Sequence, residues 1–106
     1  MKDESLYKIQ ILDAVSKIER FTAKMKWEDF ESDQKTQSAV IMQLILIGEL
    51  SKKFSAETKS KVPLPWKNIT GFRDRAIHDY FDMDLKIVWD TLINDIPVLK
   101  SKLASF

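Results

Sequence analysis

Three observations predict an all-α protein, an up-and-down bundle of four to five helices. Apolar residues step by three and four through both ends of the sequence, the spacing that stripes one face of a helix. Only two glycines and three prolines interrupt a composition that is 44% hydrophobic and 31% charged, so connections are few and helices long. The 106 residues suffice for one domain, residues 1–106, with a single core, and a domain this small gains from pairing with a second copy.

The first helix is predicted over roughly Lys2 to Lys26, where Tyr7, Ile11, Ala14, Ile18, Phe21 and Met25 form the apolar stripe and Leu12 and Val15 widen it. Trp27 to Ser32 reads as a connector with aromatic anchors. Asp33 is the N-cap candidate for a second helix running to about Phe54. Within it, Ala39 to Leu50 is apolar except for Gln43, Gly48 and Glu49, too short and interrupted for a membrane span. A helix apolar nearly all round must be covered on more than one side, which predicts a homodimer formed through it. The lysine- and serine-rich stretch from Ser55 to Leu64 closes on Pro63 and Pro65, which stop one helix and start another at Trp66. That next helix is predicted over roughly Pro65 to Asp79. Asp82 or Asp84 caps a last helix, in which Leu85, Trp89, Leu92, Ile96, Leu99, Leu103 and Phe106 repeat the stripe and Pro97 introduces a kink. There is no internal repeat, low-complexity tract or Gly-rich phosphate loop.

Composition narrows the function. Lys and Arg number 17 against 16 acidic residues, and a net charge of +1 makes no electrostatic case for a general nucleic-acid binder, so any RNA contact has to be local. Cysteine is absent, which removes disulfides, thiol catalysis and cysteine-held zinc or iron–sulfur sites and is compatible with a cytoplasmic location. Met1-Lys2-Asp3-Glu4 lacks the apolar core of a signal peptide, so the mature chain is expected to start as written, with no membrane partner.

The chemistry gathers around the one histidine. In Gly71-Phe72-Arg73-Asp74-Arg75-Ala76-Ile77-His78-Asp79-Tyr80-Phe81, His78 follows Arg73 by five residues and precedes Tyr80 by two. An arginine holds a phosphate by paired charge-assisted hydrogen bonds, and an imidazole moves a proton near neutral pH without a metal. The pattern R-x4-H-x-Y therefore points to phosphodiester cleavage, with no cofactor expected. On an uninterrupted helix five residues advance about 140 degrees, so Arg73 and His78 do not share a face. Either the helix frays before His78, or these side chains converge with those of a second subunit across a two-fold axis. The second arrangement also supplies two imidazoles, one to take the proton of the 2′-hydroxyl and one to protonate the departing oxygen. The plainer reading of the same residues is a surface ion pair and a cap near a helix end.

Other residues carry paired readings too. Glu49 is an acid in a nearly all-apolar helix, there either to fix Arg73 or Arg75 or to keep the helix soluble. The lysines from Lys52 to Lys67 form either an RNA-steering rim or an ordinary solvated face. Trp27, Trp66 and Trp89 suit core anchors better than base-stacking platforms. Tyr80, taken alone, is an amphipathic aromatic at a helix end.

The motif resembles that of the HEPN superfamily, in its HepT-like branch of minimal nucleases. Trp27-x-x-Phe30, the Ile47-Gly48-Glu49 step, Pro65-Trp66-x-x-Ile69, Val88-Trp89 and Ile96-Pro97-x-Leu99 carry the resemblance from about Leu6 to Leu103, in the right order. Asp74 stands where Asn is the commoner HepT-like residue, and its charge beside Arg73 works against phosphate binding. The resemblance implies a HEPN-like helical homodimer with a metal-independent endoribonuclease site, in which His78 is general base or acid and Arg73 binds the scissile phosphate. Asp74 would then orient a neighbour such as His78, one turn away. It also implies the toxin half of a toxin–antitoxin pair, whose partner, an MNT-type nucleotidyltransferase, attaches AMP to Tyr80. The alternative is a non-catalytic helical substrate-binding partner of a nucleotidyltransferase; a purely structural dimer would need no polar motif at its interface.

Overall fold

The computed structural model describes residues 3–106, and among them there is no strand. The order is α1 (Ser5–Phe21), α2 (Trp27–Glu31), α3 (Gln34–Ser51), α4 (Ala56–Lys61), α5 (Trp66–His78), a 3-10 turn (Tyr80–Asp82), α6 (Leu85–Asp90), a π-helical turn (Thr91–Asp95) and α7 (Ile96–Ala104). Lys2, the expected start of the first helix, lies outside the described residues. At its other end α1 stops five residues short of Lys26. The Thr22 hydroxyl donates to the Ile18 carbonyl at 2.8 Å, and Lys24 takes a left-handed conformation, φ 64°, which turns the chain before Met25.

Local capping explains most of the other boundaries. The expected connector at Trp27 contains a helical turn, because the Asp29 carboxylate accepts from the Lys26 N–H at 2.9 Å and the Phe30 ring is fully buried. Asp33 caps α3 as expected, its Oδ1 accepting from the Thr36 N–H at 3.0 Å. That helix ends at Ser51 rather than Phe54. Ser55 in turn caps α4, an element the lysine- and serine-rich stretch conceals, by accepting from the Thr58 N–H at 3.1 Å. Of the two candidate caps before the last helix, Asp84 is the one used, with the Lys86 N–H at 2.9 Å, while Asp82 belongs to the 3-10 turn. Pro97 has no N–H and its ring crowds the carbonyl four residues back; the widened π-helical turn just ahead of it is where the helix yields.

Helix α3 is the centre of the packing, with α1 on one side and α5 on the other, while α7 lies along α1. Ile11, Val15 and Ile18 of α1, Val40 and Ile47 of α3, and Val88, Leu99 and Leu103 from the C-terminal segments are all buried in one core. Two aromatic groups brace it. Phe30 meets Trp89 at 5.3 Å and Trp27 at 6.5 Å between centroids, and Phe54 makes edge contacts with Tyr7 at 6.1 Å and Trp66 at 5.7 Å. Each tryptophan is thus an anchor of the core. The apolar run of α3 is only partly covered, since Met42 and Leu46 remain 53% and 42% exposed. No helix among the described residues is long and apolar enough to cross a membrane.

The two glycines make opposite demands. A Cβ added at Gly48 would overlap the Cβ of Arg73 and lie 3.1 Å from the Ile69 carbonyl oxygen, whereas one added at Gly71 would meet open space. Ala in place of a mid-helix Gly gains about 1 kcal/mol of helix propensity. Gly71→Ala is therefore expected to raise stability by up to about that amount. Gly48→Ala should lower it, because the overpacking cost of about 1–3 kcal/mol exceeds the gain. Urea denaturation of both variants checks this: equal shifts of the same sign would contradict the close approach of α3 and α5.

Candidate active site

The lack of a side chain at Gly48 lets α5 approach α3 at Arg73, and the next residue of α3 receives the guanidinium. Glu49 Oε2 accepts from Arg73 Nε at 2.8 Å and lies 2.6 Å from Nη2. Of the two arginines that Glu49 was expected to hold, Arg73 is the partner. Asp74 Oδ1 accepts from Arg73 Nη1 and from Lys52 Nζ, both at 2.9 Å. Two cations and two carboxylates thus form one chain of contacts from α3 to α5.

Electrostatics follow from those bonds. The hydrogen bond from Lys52, then that from Arg73, holds the Asp74 carboxyl below the usual carboxylate range. Arg73 is shifted upward, first by its hydrogen bond to Asp74; burial opposes this, and the hydrogen bond to Glu49 adds to the upward shift. A depressed carboxylate contributes stability at neutral and mildly acidic pH and loses it as pH falls through its lowered pKa. The Arg73–Asp74 ion pair therefore stays charged at neutral pH.

His78 stands apart. It is the last residue of α5, exposed, and its side chain makes no hydrogen bond or ion pair among the described residues. The helix does not fray before it, so the first of the two ways of joining Arg73 and His78 within one chain is removed. Asp74, one turn earlier, was expected to orient a neighbour such as His78; the side chains it bonds are Lys52 and Arg73, and it makes no bond to His78. The reason is electrostatic: two cations lie within its reach.

Tyr80 begins the 3-10 turn, its hydroxyl 3.2 Å from Ser38 Oγ and its ring edge-to-face with Phe81 at 5.7 Å. Phe81 is 98% exposed. Ser38, Met42 and Glu49 recur on one face of α3, with Leu46 at its border. Its two ends are tied by Ser38 to Tyr80 and by Glu49 to Arg73, and Ile77 lies one turn beyond Arg73, itself exposed. The result is a surface with an apolar centre and polar ends. A separate recess of about 540 Å³ lies between α5 and the C-terminal helices, lined by Phe72, Arg75 and Leu99 among others. Arg73, His78 and Tyr80 do not line it.

Ser38 was not singled out from the sequence, Lys52 entered only as one end of a lysine run, and Phe81 only as the end of the motif stretch. Lys52 had a signal, since it lies one helical turn from Gly48 and Glu49; Ser38 had none, because its partner is 42 residues away. Among the described residues no group of three or more His, Cys, Asp or Glu is arranged to hold a metal ion.

Comparison with known proteins gives a family. A model described as ribonuclease HepT-like matches residues 11–106. A probable ribonuclease HepT of Thermococcus cleftensis is 43% identical over 97 residues, 91% of this chain and 88% of that protein. A putative RNase of Methanocaldococcus jannaschii is 39% identical over 97 residues, 91% of this chain and 80% of its own length. A putative RNase of Caldanaerobacter subterraneus is 37% identical over 79 residues, 74% of this chain and 70% of its own. No solved structure gives a significant match. With the ordered motifs, the helical architecture and a family match over nearly the whole length, this chain belongs to the HepT-like ribonuclease family of the HEPN superfamily.

Proposed function

We propose that the protein is a metal-independent endoribonuclease whose active site is assembled from Arg73 and His78 of two copies related by a two-fold axis. One observation carries this reading: α5 stays helical through His78, so Arg73 and the unbonded imidazole diverge by about 140 degrees within one chain. The exposed surface formed by Met42, Leu46 and Ile77, adjoining Arg73, is suited to an isologous contact. The family match and the RNase names of the relatives support RNA as substrate.

The reaction follows from the groups present. One His78 removes the proton of the ribose 2′-hydroxyl, and the oxygen attacks the adjacent phosphorus. Arg73, held by Glu49, stabilises the charge that builds on the phosphoryl oxygens. The other His78 donates a proton to the departing 5′-oxygen. A 2′,3′-cyclic phosphate and a 5′-hydroxyl result, with all protons accounted for. His78→Ala is expected to lower cleavage of synthetic RNA by at least about a hundredfold without unfolding the protein, the range typical of a lost acid–base group. Arg73→Ala should cost a comparable factor, and chelator should change nothing. Activity that needs added magnesium, persists in His78→Ala, or cuts DNA equally well would reject this mechanism.

The proposed setting is the toxin half of a toxin–antitoxin pair in the cytoplasm, with a nucleotidyltransferase as antitoxin. Tyr80 is the proposed point of control. Its hydroxyl oxygen would attack the α-phosphate of ATP in the partner's active site, forming a phosphodiester and releasing pyrophosphate. Each AMP brings a negative charge two residues from His78, where the RNA phosphate has to enter. Mass spectrometry after incubation with the cognate nucleotidyltransferase, ATP and magnesium should find AMP on Tyr80 and a matching loss of cleavage, and Tyr80→Phe should stay active. An unmodified Tyr80, or equal activity before and after labelling, would refute the switch.

A further inference from the structure

Lys52 Nζ and Arg73 Nη1 point at the same atom. Each is 2.9 Å from Asp74 Oδ1, so a lysine just past the end of α3 and an arginine of α5 converge on one anionic oxygen. We infer that Lys52 is a second phosphate-binding residue and that the Asp74 carboxylate is a displaceable internal occupant of the position an RNA phosphoryl oxygen takes. The inference rests on the ribonuclease reading for the identity of the phosphate, though the convergence of the two cations does not depend on it.

Donor capacity supports the exchange. Arg73 has five N–H groups: Nε donates to Glu49 and one on Nη1 to Asp74, while Nη2 lies 2.6 Å from the same Glu49 oxygen as an ion-pair contact. Glu49 therefore fixes the guanidinium plane whether or not Asp74 stays. Lys52 has three N–H donors and spends one on Asp74. An oxygen that replaces Asp74 Oδ1 inherits two charge-assisted bonds already directed at it.

Exposure and charge say which partner leaves. The Asp74 side chain is 49% exposed against 23% for Arg73, so it can turn into water while the arginine stays braced on α3. With Asp74 in place, Lys52, Arg73, Glu49 and Asp74 sum to zero charge. With Asp74 turned out, Lys52 and Arg73 against Glu49 leave one net positive charge facing the phosphodiester. Aspartate thus tunes the site toward weaker phosphate capture, a property of this position's charge rather than of its shape.

The test uses the full-length protein, a single-stranded RNA methylated at every 2′-oxygen so that it cannot be cut by 2′-hydroxyl attack, and a cleavable RNA of the same sequence. Binding by fluorescence anisotropy should be tighter for Asp74→Asn and weaker for Lys52→Met, each by up to about fivefold, the range one exposed charge contact supports. Lys52→Met should also make the salt dependence shallower by about 0.7 in log–log slope, the effect of neutralising one phosphate fewer on a single strand, and Lys52→Arg should restore it. On the cleavable RNA both changes should appear mainly in KM. Unaltered binding and salt slope in Lys52→Met, or weaker binding in Asp74→Asn, would overturn the inference and leave a surface ion pair; thermal melts of all three variants identify a loss of fold. If the native protein binds the methylated RNA with this order of variants but does not cleave its counterpart, the nuclease reading fails and the anion site stands. If it cleaves but the order is absent, only the inference fails.

Discussion

The close approach of α3 and α5 at Gly48 is the constraint on which the candidate site depends. Any side chain larger than hydrogen there would collide with Arg73 and push α5 outward. Because the contact is made at Arg73, the guanidinium emerges within reach of the next α3 residue, Glu49, and of Lys52 one turn further on. Ser38 then meets Tyr80 at the other end of the same face. One missing side chain thus sets where the cationic end of the candidate site lies.

The same geometry underlies the proposed pairing of two copies. Packing α5 on α3 through Arg73 and burying Phe72 and Ala76 uses the sides of α5 that face the bundle, and leaves His78 on its exposed end. No rotation of α5 brings both Arg73 and His78 to α3. Within one chain Arg73 and His78 therefore stay apart, and the proposed pairing of two copies would use the half-covered apolar face of α3, where Met42 and Leu46 are exposed. Holding Arg73 by Glu49 also reduces the ordering a flexible arginine would need on binding a phosphate.

Caps and periodicity carried the part of the fold that could be read in advance. Asp33, Pro65 and Asp84 mark helix starts because each solves a local problem of unpaired N–H groups or fixed φ, and local problems leave local signals. The end of α1 left none: a left-handed Lys24 replaces the glycine that usually announces such a turn. Helix α2 was hidden because its stability comes from Phe30 buried against Trp89, a contact across 59 positions of sequence. The site divides the same way. Arg73, His78 and Tyr80 are close in sequence and were proposed from their spacing, and Glu49 was narrowed to two arginines. The attachment of Asp74 to Lys52 spans 22 residues and depends on how two helices cross, which no local pattern encodes.

Catalysis by the proposed site needs the histidines of two chains. Mixing native protein with His78→Ala protein, allowing subunits to exchange and measuring RNA cleavage at fixed total concentration tests it directly. If both imidazoles of a two-fold site are required, activity falls as the square of the native fraction, because only native–native pairs cut. Activity falling in simple proportion to the native fraction would mean that one chain carries a complete site, and would contradict the account.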